Sequence, residues 1–190
     1  DTGRNGTIAG ECAGYTLLAS EKFVRENGLQ PQAALIGFGN SMDAYKITAP
    51  DPSGAGVESA IRRALEMAQL PLASLDYINA HGTGTLSNDE AELRAIERVV
   101  GAAAPQIAVS STKDRHGHAI AAAGIQEFHV LTTCMANDLI PVNLSCNQPI
   151  QTSLALPFES NQTKQIRYAL TNNFAFGGVN CSLALENLAL

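Results

Sequence analysis

Asn79-Ala80-His81-Gly82-Thr83-Gly84-Thr85 begins at the end of the short strand expected over Leu75–Asn79 and precedes the polar stretch Ser87-Asn88-Asp89-Glu90. A buried strand, a glycine-flanked loop and a helix start, in that order, make the repeating unit of an α/β fold. Ser87–Glu90 reads as a capping box that opens a helix to about Val100, with Leu93, Ile96 and Val100 on one face. Two more chemistry-rich segments also follow expected strands. Ile107–Ser110 leads into Ser110-Ser111-Thr112-Lys113-Asp114-Arg115-His116-Gly117-His118, and Ile166–Asn172 leads into Asn172-Asn173-Phe174-Ala175-Phe176-Gly177-Gly178-Val179-Asn180. Sites in α/β folds gather at the C-terminal ends of strands.

The flanking sequence agrees with that pattern. Thr7–Ile8 and Tyr15–Leu18 read as short strands, and Ser20 to Asn27 as a helix stopped by Gly28. Ala33–Phe38 reads as a strand, and Asn40 to Ser53 as a long loop of the kind that is often functional. Ser53 is expected to cap a helix to about Gln69, because Val57, Ile61, Ala64, Leu65 and Ala68 keep the helical period. From Gly117 to Met135 an Ala-dense, charge-poor segment predicts a helix buried on most sides. Asn180–Glu186 is the last expected strand, joined to its predecessor by a turn at Phe176-Gly177-Gly178.

Composition removes several function classes. The chain has 190 residues, 45% hydrophobic and 16% charged, with a net charge of −6. One domain of that size buries a sizeable core. The acidic balance argues against a nucleic-acid surface, and the apolar runs fall short of the roughly 20 residues a bilayer span needs. The four cysteines, Cys12, Cys134, Cys146 and Cys181, have neither pairing nor metal spacing, which implies a reducing, cytoplasmic setting. The polar start Asp1–Gly6 is no signal peptide and reads as the middle of something longer.

Taken alone, a histidine in a glycine-flanked loop carries little. Together, the three segments resemble, in order and spacing, the C-terminal signature segments of the β-ketoacyl-acyl-carrier-protein synthases, condensing enzymes of the thiolase-like superfamily. Asp1–Gly14 is similar to that family's Asp-x-x-Arg-x-Gly-x-x-x-Gly-Glu-x-Ala-Gly stretch. Ser41–Tyr45 with Thr48-Ala49-Pro50 resembles its long substrate-side loop. The resemblance implies an α/β, thiolase-like chain: the C-terminal half of a layered αβαβα fold with a mixed five-stranded sheet. Residues 1–33 would be the last strands and helix of the N-terminal half, and 34–190 the C-terminal domain.

The family's function would be a decarboxylative Claisen condensation of an acyl thioester with malonyl-acyl-carrier protein. The resemblance assigns catalysis to His81, His118, Lys113 and Glu127. Thr83 and Thr85 would contact phosphopantetheine, and Phe176 would be a gate whose backbone N–H helps form an oxyanion hole. Asp89 reads as a helix-capping residue. Two neutral imidazoles offering Nε2–H to one thioester oxygen suit an enolate. His118 falls at an expected helix N-terminus, where the dipole disfavours imidazolium, and Lys113 is the group expected to orient His81.

No cofactor is implied for the chain itself, since phosphopantetheine arrives on the carrier protein. The implied partners are acyl carrier protein and a missing N-terminal half or partner subunit that carries the cysteine nucleophile, in a homo- or heterodimer. Apolar surface should be exposed where the halves meet. Cys12 and Ala175 stand where the family has Gly, and His116 where it has Thr. The Ala is tolerable only if its φ is negative. Two other readings stay open: a non-catalytic partner of the chain-length-factor type, which usually lacks the histidines, and a metal-dependent hydrolase built on His116-Gly117-His118.

Overall fold

The computed structural model describes residues 1–189. After an extended N-terminal segment come α1 (Glu21–Glu26), β1 (Ala33–Met42), α2 (Ala55–Ala68), β2 (Tyr77–Asn79), α3 (Leu86–Val100) and β3 (Ala108–Ser110). Then follow α4 (Lys113–His116), α5 (Ala123–Ala136), β4 (Leu139–Ile140), β5 (Gln162–Thr163), β6 (Tyr168–Ala175) and β7 (Val179–Asn187). Five strands form one mixed sheet in the order β1-β7-β6-β2-β3, and β4 pairs with β5 separately. Strands β3, β2 and β6 run parallel, with Asn79 opposite both Ser110 and Thr171. Strands β6, β7 and β1 are antiparallel.

The two-residue strand period sorts the core. Ile78, Val109, Leu170 and Ala184 face the helix layer made by Val57, Ile61 and Leu65 of α2 and Ile96 and Val100 of α3. Their neighbours Tyr77, Ala108, Ala169 and Leu185 point the other way, onto Leu131, Cys134 and Met135 of α5. Each fully buried aliphatic side chain contributes about 1.5–3 kcal/mol. At Gly39 a Cβ would lie 2.0 Å from the Ala60 carbonyl oxygen, so glycine lets α2 lie directly on β1. Because β2, β3 and β6 are parallel, the segments that leave them, 79–85, 110–118 and the turn after Ala175, reach the same end of the sheet.

The structure departs from the sequence expectations in five places. Thr7–Ile8 and Tyr15–Leu18 are not strands. Among the described residues they find no ladder partner, apart from an isolated bridge of Ala9 to His118, and Tyr15 and Leu17 are 95% and 84% exposed. The first sheet strand runs on to Met42. The N-cap of α2 is Gly54 in the left-handed region, and Ser53 only accepts from the Ala55 N–H. The cap of α3 is Thr85, whose hydroxyl accepts from Asn88 N, rather than Ser87. The long helix from Gly117 begins at Ala123: positive φ at Gly117 (73°) and Ile120 (51°) breaks the preceding segment into a short 3-10 turn. Ala175 has no positive φ and ends β6 in extended backbone, which meets the condition set by its replacement of glycine.

Candidate active site

The loop after β2 lifts His81 off a buried strand, and α4, which follows β3 almost at once, carries Lys113 to the same place. His81 is 3% exposed, and Lys113 and Glu127 are buried with it. Glu127 comes from the first turns of α5, on the face that packs on the sheet. The Lys113 ammonium contacts the Glu127 carboxylate, donates to the His81 carbonyl at 2.5 Å and lies 3.3 Å from His81 Nδ1. Its three N–H donors therefore have three acceptors, which is the condition for keeping such a charge inside a protein. Burial pulls the Lys113 pKa down to about 8, while the Glu92 and Asp89 carboxylates pull it up. The Glu127 contact holds the ammonium form.

These contacts fix both imidazoles. An ammonium has no lone pair, so His81 Nδ1 is the acceptor and the neutral ring carries its proton on Nε2. His118 Nδ1 accepts from the Ile120 backbone N–H at 3.1 Å, which gives the same tautomer. The ring centroids are 5.2 Å apart and the planes nearly perpendicular. Burial lowers the His81 pKa well below 6.5, helped by Lys113 and His118. Burial and Lys113 also lower that of His118. Among the described residues neither Nε2 has a protein partner, so each of the two neighbouring neutral rings keeps its Nε2–H uncommitted.

Four of the seven residues singled out from the sequence, His81, His118, Lys113 and Glu127, thus come together. The reason expected for His118 is corrected: α5 starts five residues later, so burial and Lys113, not a helix dipole, disfavour its charge. Lys113 lies in α4 rather than in a loop. Thr83 and Thr85 share a hydroxyl–hydroxyl bond of 2.9 Å on the same turn, and Thr85 also caps α3. Asp89 accepts from Gly84 N at 3.1 Å, in keeping with a structural role. Phe176 sits on the β6–β7 turn, 77% exposed. That turn is tied to the substrate-side loop by Gly177 N to Ile47 O at 2.6 Å. The aromatic ring that touches His81 is instead Phe174, at 5.4 Å.

His116 does not face outward as half of a metal pair. Its Nδ1 donates to the Gly117 carbonyl and its Nε2 accepts from Thr112 Oγ1. Among the described residues no three His, Cys, Asp or Glu side chains cluster as metal ligands. Sequence reading missed Glu92. It is 2% exposed, and its carboxylate accepts from the backbone N–H groups of His81 and Gly82, each at 2.9 Å. The available signal was a carboxylate in the buried stripe of α3, among Ala91, Ala95 and Ile96.

With this geometry in view, comparisons with known proteins are specific. Residues 32–147 match the model of the β-ketoacyl synthase C-terminal domain. A 3-oxoacyl-[acyl-carrier-protein] synthase 2 of Rhizobium meliloti (strain 1021) is 39% identical over 187 residues, covering 98% of this chain and 44% of the relative. Nodulation protein E of Rhizobium meliloti is 37% identical over 187 residues, covering 98% and 46%. Among solved structures, a type II PKS ketosynthase in complex with its acyl-carrier protein superposes with a TM-score of 0.93 at 27% identity, covering 98% of this chain and 46% of that one. The ishigamide ketosynthase/chain length factor gives 0.89 at 30% identity, with the same coverage. The chain spans about half the length of the curated relatives it matches. Its mixed sheet and helix layers are those of the thiolase-like ketosynthases, and no helix among the described residues is long and apolar enough to cross a membrane. The chain belongs to the β-ketoacyl synthase family, whose C-terminal domain it contains.

Proposed function

We propose that this chain supplies the two-histidine half of a β-ketoacyl-acyl-carrier-protein synthase, working in the cytoplasm. The carrying observation is the pair of neutral imidazoles, 5.2 Å apart, each pinned through Nδ1. An acyl group would wait as a thioester on a cysteine supplied by sequence outside residues 1–190 or by a partner subunit. Two of the chain's cysteines suit that task poorly: burial raises Cys134 to about 11 and raises Cys181 as well, which keeps both as thiols.

Malonyl thioester would enter on the phosphopantetheine arm of acyl carrier protein, past the hydroxyls of Thr83 and Thr85. With the thioester oxygen held by Nε2–H of His81 and His118, the C–CO₂ bond breaks and its electron pair forms the enolate. Preorganised donors at such an oxygen are worth about 2.7–4 kcal/mol each. The enolate carbon then attacks the acyl carbon, the backbone N–H of Phe176 supports the tetrahedral oxyanion, and the cysteine sulfur leaves. Lys113 and Glu127 keep His81 in the donating tautomer. No cofactor beyond the carried phosphopantetheine is required.

Residues 1–33 are read as the end of the N-terminal half. Exposed Tyr15, Leu17 and Leu18 on a strandless arm support that assignment, as do exposed Phe38 and Met42 on the outer sheet strand. The matched ketosynthase solved with its acyl-carrier protein and those solved with chain length factors make a carrier protein and a second synthase-like subunit the natural partners. His81→Ala and His118→Ala, made in the intact protein, are expected to lower malonyl decarboxylation by about 100-fold or more each. Rates equal to wild type would remove the histidines from the reaction.

A further inference from the structure

A carboxylate, rather than a histidine, holds the His81 turn in place. Glu92 reaches from α3 under the turn after β2, and each of its oxygens takes one backbone N–H, from His81 and from Gly82. Asn172 of β6 donates to the same carboxylate at 3.3 Å, and Ser182 of β7 donates to Asn172 Oδ1 at 2.9 Å. The chain of bonds thus links two sheet strands and one helix to the backbone of His81. Among the described residues no other contact holds both N–H groups of that turn.

We propose that Glu92 is a positioning residue whose ionised carboxylate is required for His81 to present its Nε2–H, so that the site is switched off by acid independently of the imidazoles. A protonated carboxyl turns one oxygen into a donor, and that donor would face a backbone N–H. Burial pushes Glu92 up to about 6 and Asp89, one turn earlier, adds to this, while the Gly82 and His81 N–H groups and Asn172 pull it down. Lys113 of α4 is the cation that feels Glu92, and Arg4 from the N-terminal segment pairs with Asp89 at 3.7 Å. Burial disfavours the charged form of both the His81 and the His118 ring, so loss of the acid limb on Glu92→Gln, rather than the pH profile alone, separates Glu92 from the imidazoles.

The inference rests on the condensing reading of the site, and its test separates the two. In the intact synthase, Glu92→Gln keeps the shape but points an amide N–H₂ at a backbone N–H. We expect kcat for malonyl decarboxylation to fall about tenfold or more with little change in KM. Hydrogen exchange should rise in the peptide carrying His81 and Gly82, and the acid limb near pH 6 should be lost in the variant. A variant with the wild-type rate, the same acid limb and unchanged exchange overturns the proposal. Should the variant fail to fold, wild-type exchange in that peptide, followed from about pH 8 to 5, carries the same test. After correction for the intrinsic, base-catalysed exchange rate, protection in that peptide should fall on acidification through about pH 6, and a protection factor that stays flat overturns the proposal. An intact protein that decarboxylates no malonyl thioester would sink the condensing reading, while the exchange data would still decide the role of Glu92.

Discussion

Lys113 shows what a single residue costs and gains here. Its ammonium is buried, and its three donors meet the Glu127 carboxylate and two atoms of His81. Lys113→Ala leaves the Glu127 carboxylate buried without a cation, and breaking such a pair costs about 3–5 kcal/mol. It also frees His81 Nδ1 from the donor that sets its tautomer. Urea unfolding should therefore show a large loss for Lys113→Ala. The double replacement Lys113→Met with Glu127→Leu should recover most of the stability but none of the decarboxylation. A double variant as unstable as the single one would mean that the pair does not stand alone electrostatically. His81, Lys113, His118 and Glu127 were legible in the sequence because each lies in a segment with family spacing. Glu92 was not, since one buried carboxylate in an amphipathic helix looks like any solvated glutamate until the helix is packed.

At the scale of elements, the site is made by the turns that end strands and begin helices. Gly82 has φ 45°, and a Cβ there would lie 2.5 Å from Ser111 Cβ, on the loop that leads to Lys113. Gly82→Ala should destabilise the protein by about 1–3 kcal/mol. It should lower activity by displacing His81, with thermal unfolding and decarboxylation measured together. Unchanged values for both would mean that the turn is not strained in this way. Regular elements were easy to foresee where one face is apolar, as in α2, α3, β2 and β6. The element boundaries next to the chemistry were not. Ile120 in the left-handed region is a backbone state that a β-branched side chain disfavours, and no local pattern announces it. Yet it is this bend that turns the Ile120 N–H onto His118 Nδ1. The expected helix start at Gly117 assigned the lowering of the His118 pKa to a dipole, whereas burial and Lys113 are its causes.

For the whole molecule, the layered sheet was legible from the alternation of strand and helix patterns, whereas Thr7–Leu18 was not: β-rich segments become strands only when a partner strand is present. The exposed arm and the exposed apolar side chains of β1 are on our reading the surface that the other half of the synthase covers. Covering the arm, which bridges to His118 through Ala9, would remove water from the half-buried His118 ring and strengthen its hydrogen bond to a developing enolate. The intact assembly is therefore the right sample for the decisive measurement, which is long-range ¹H–¹⁵N correlation of the histidine rings at pH 7. Both His81 and His118 should be neutral with the proton on Nε2. A doubly protonated ring, or a proton on Nδ1 of either residue, would contradict the account.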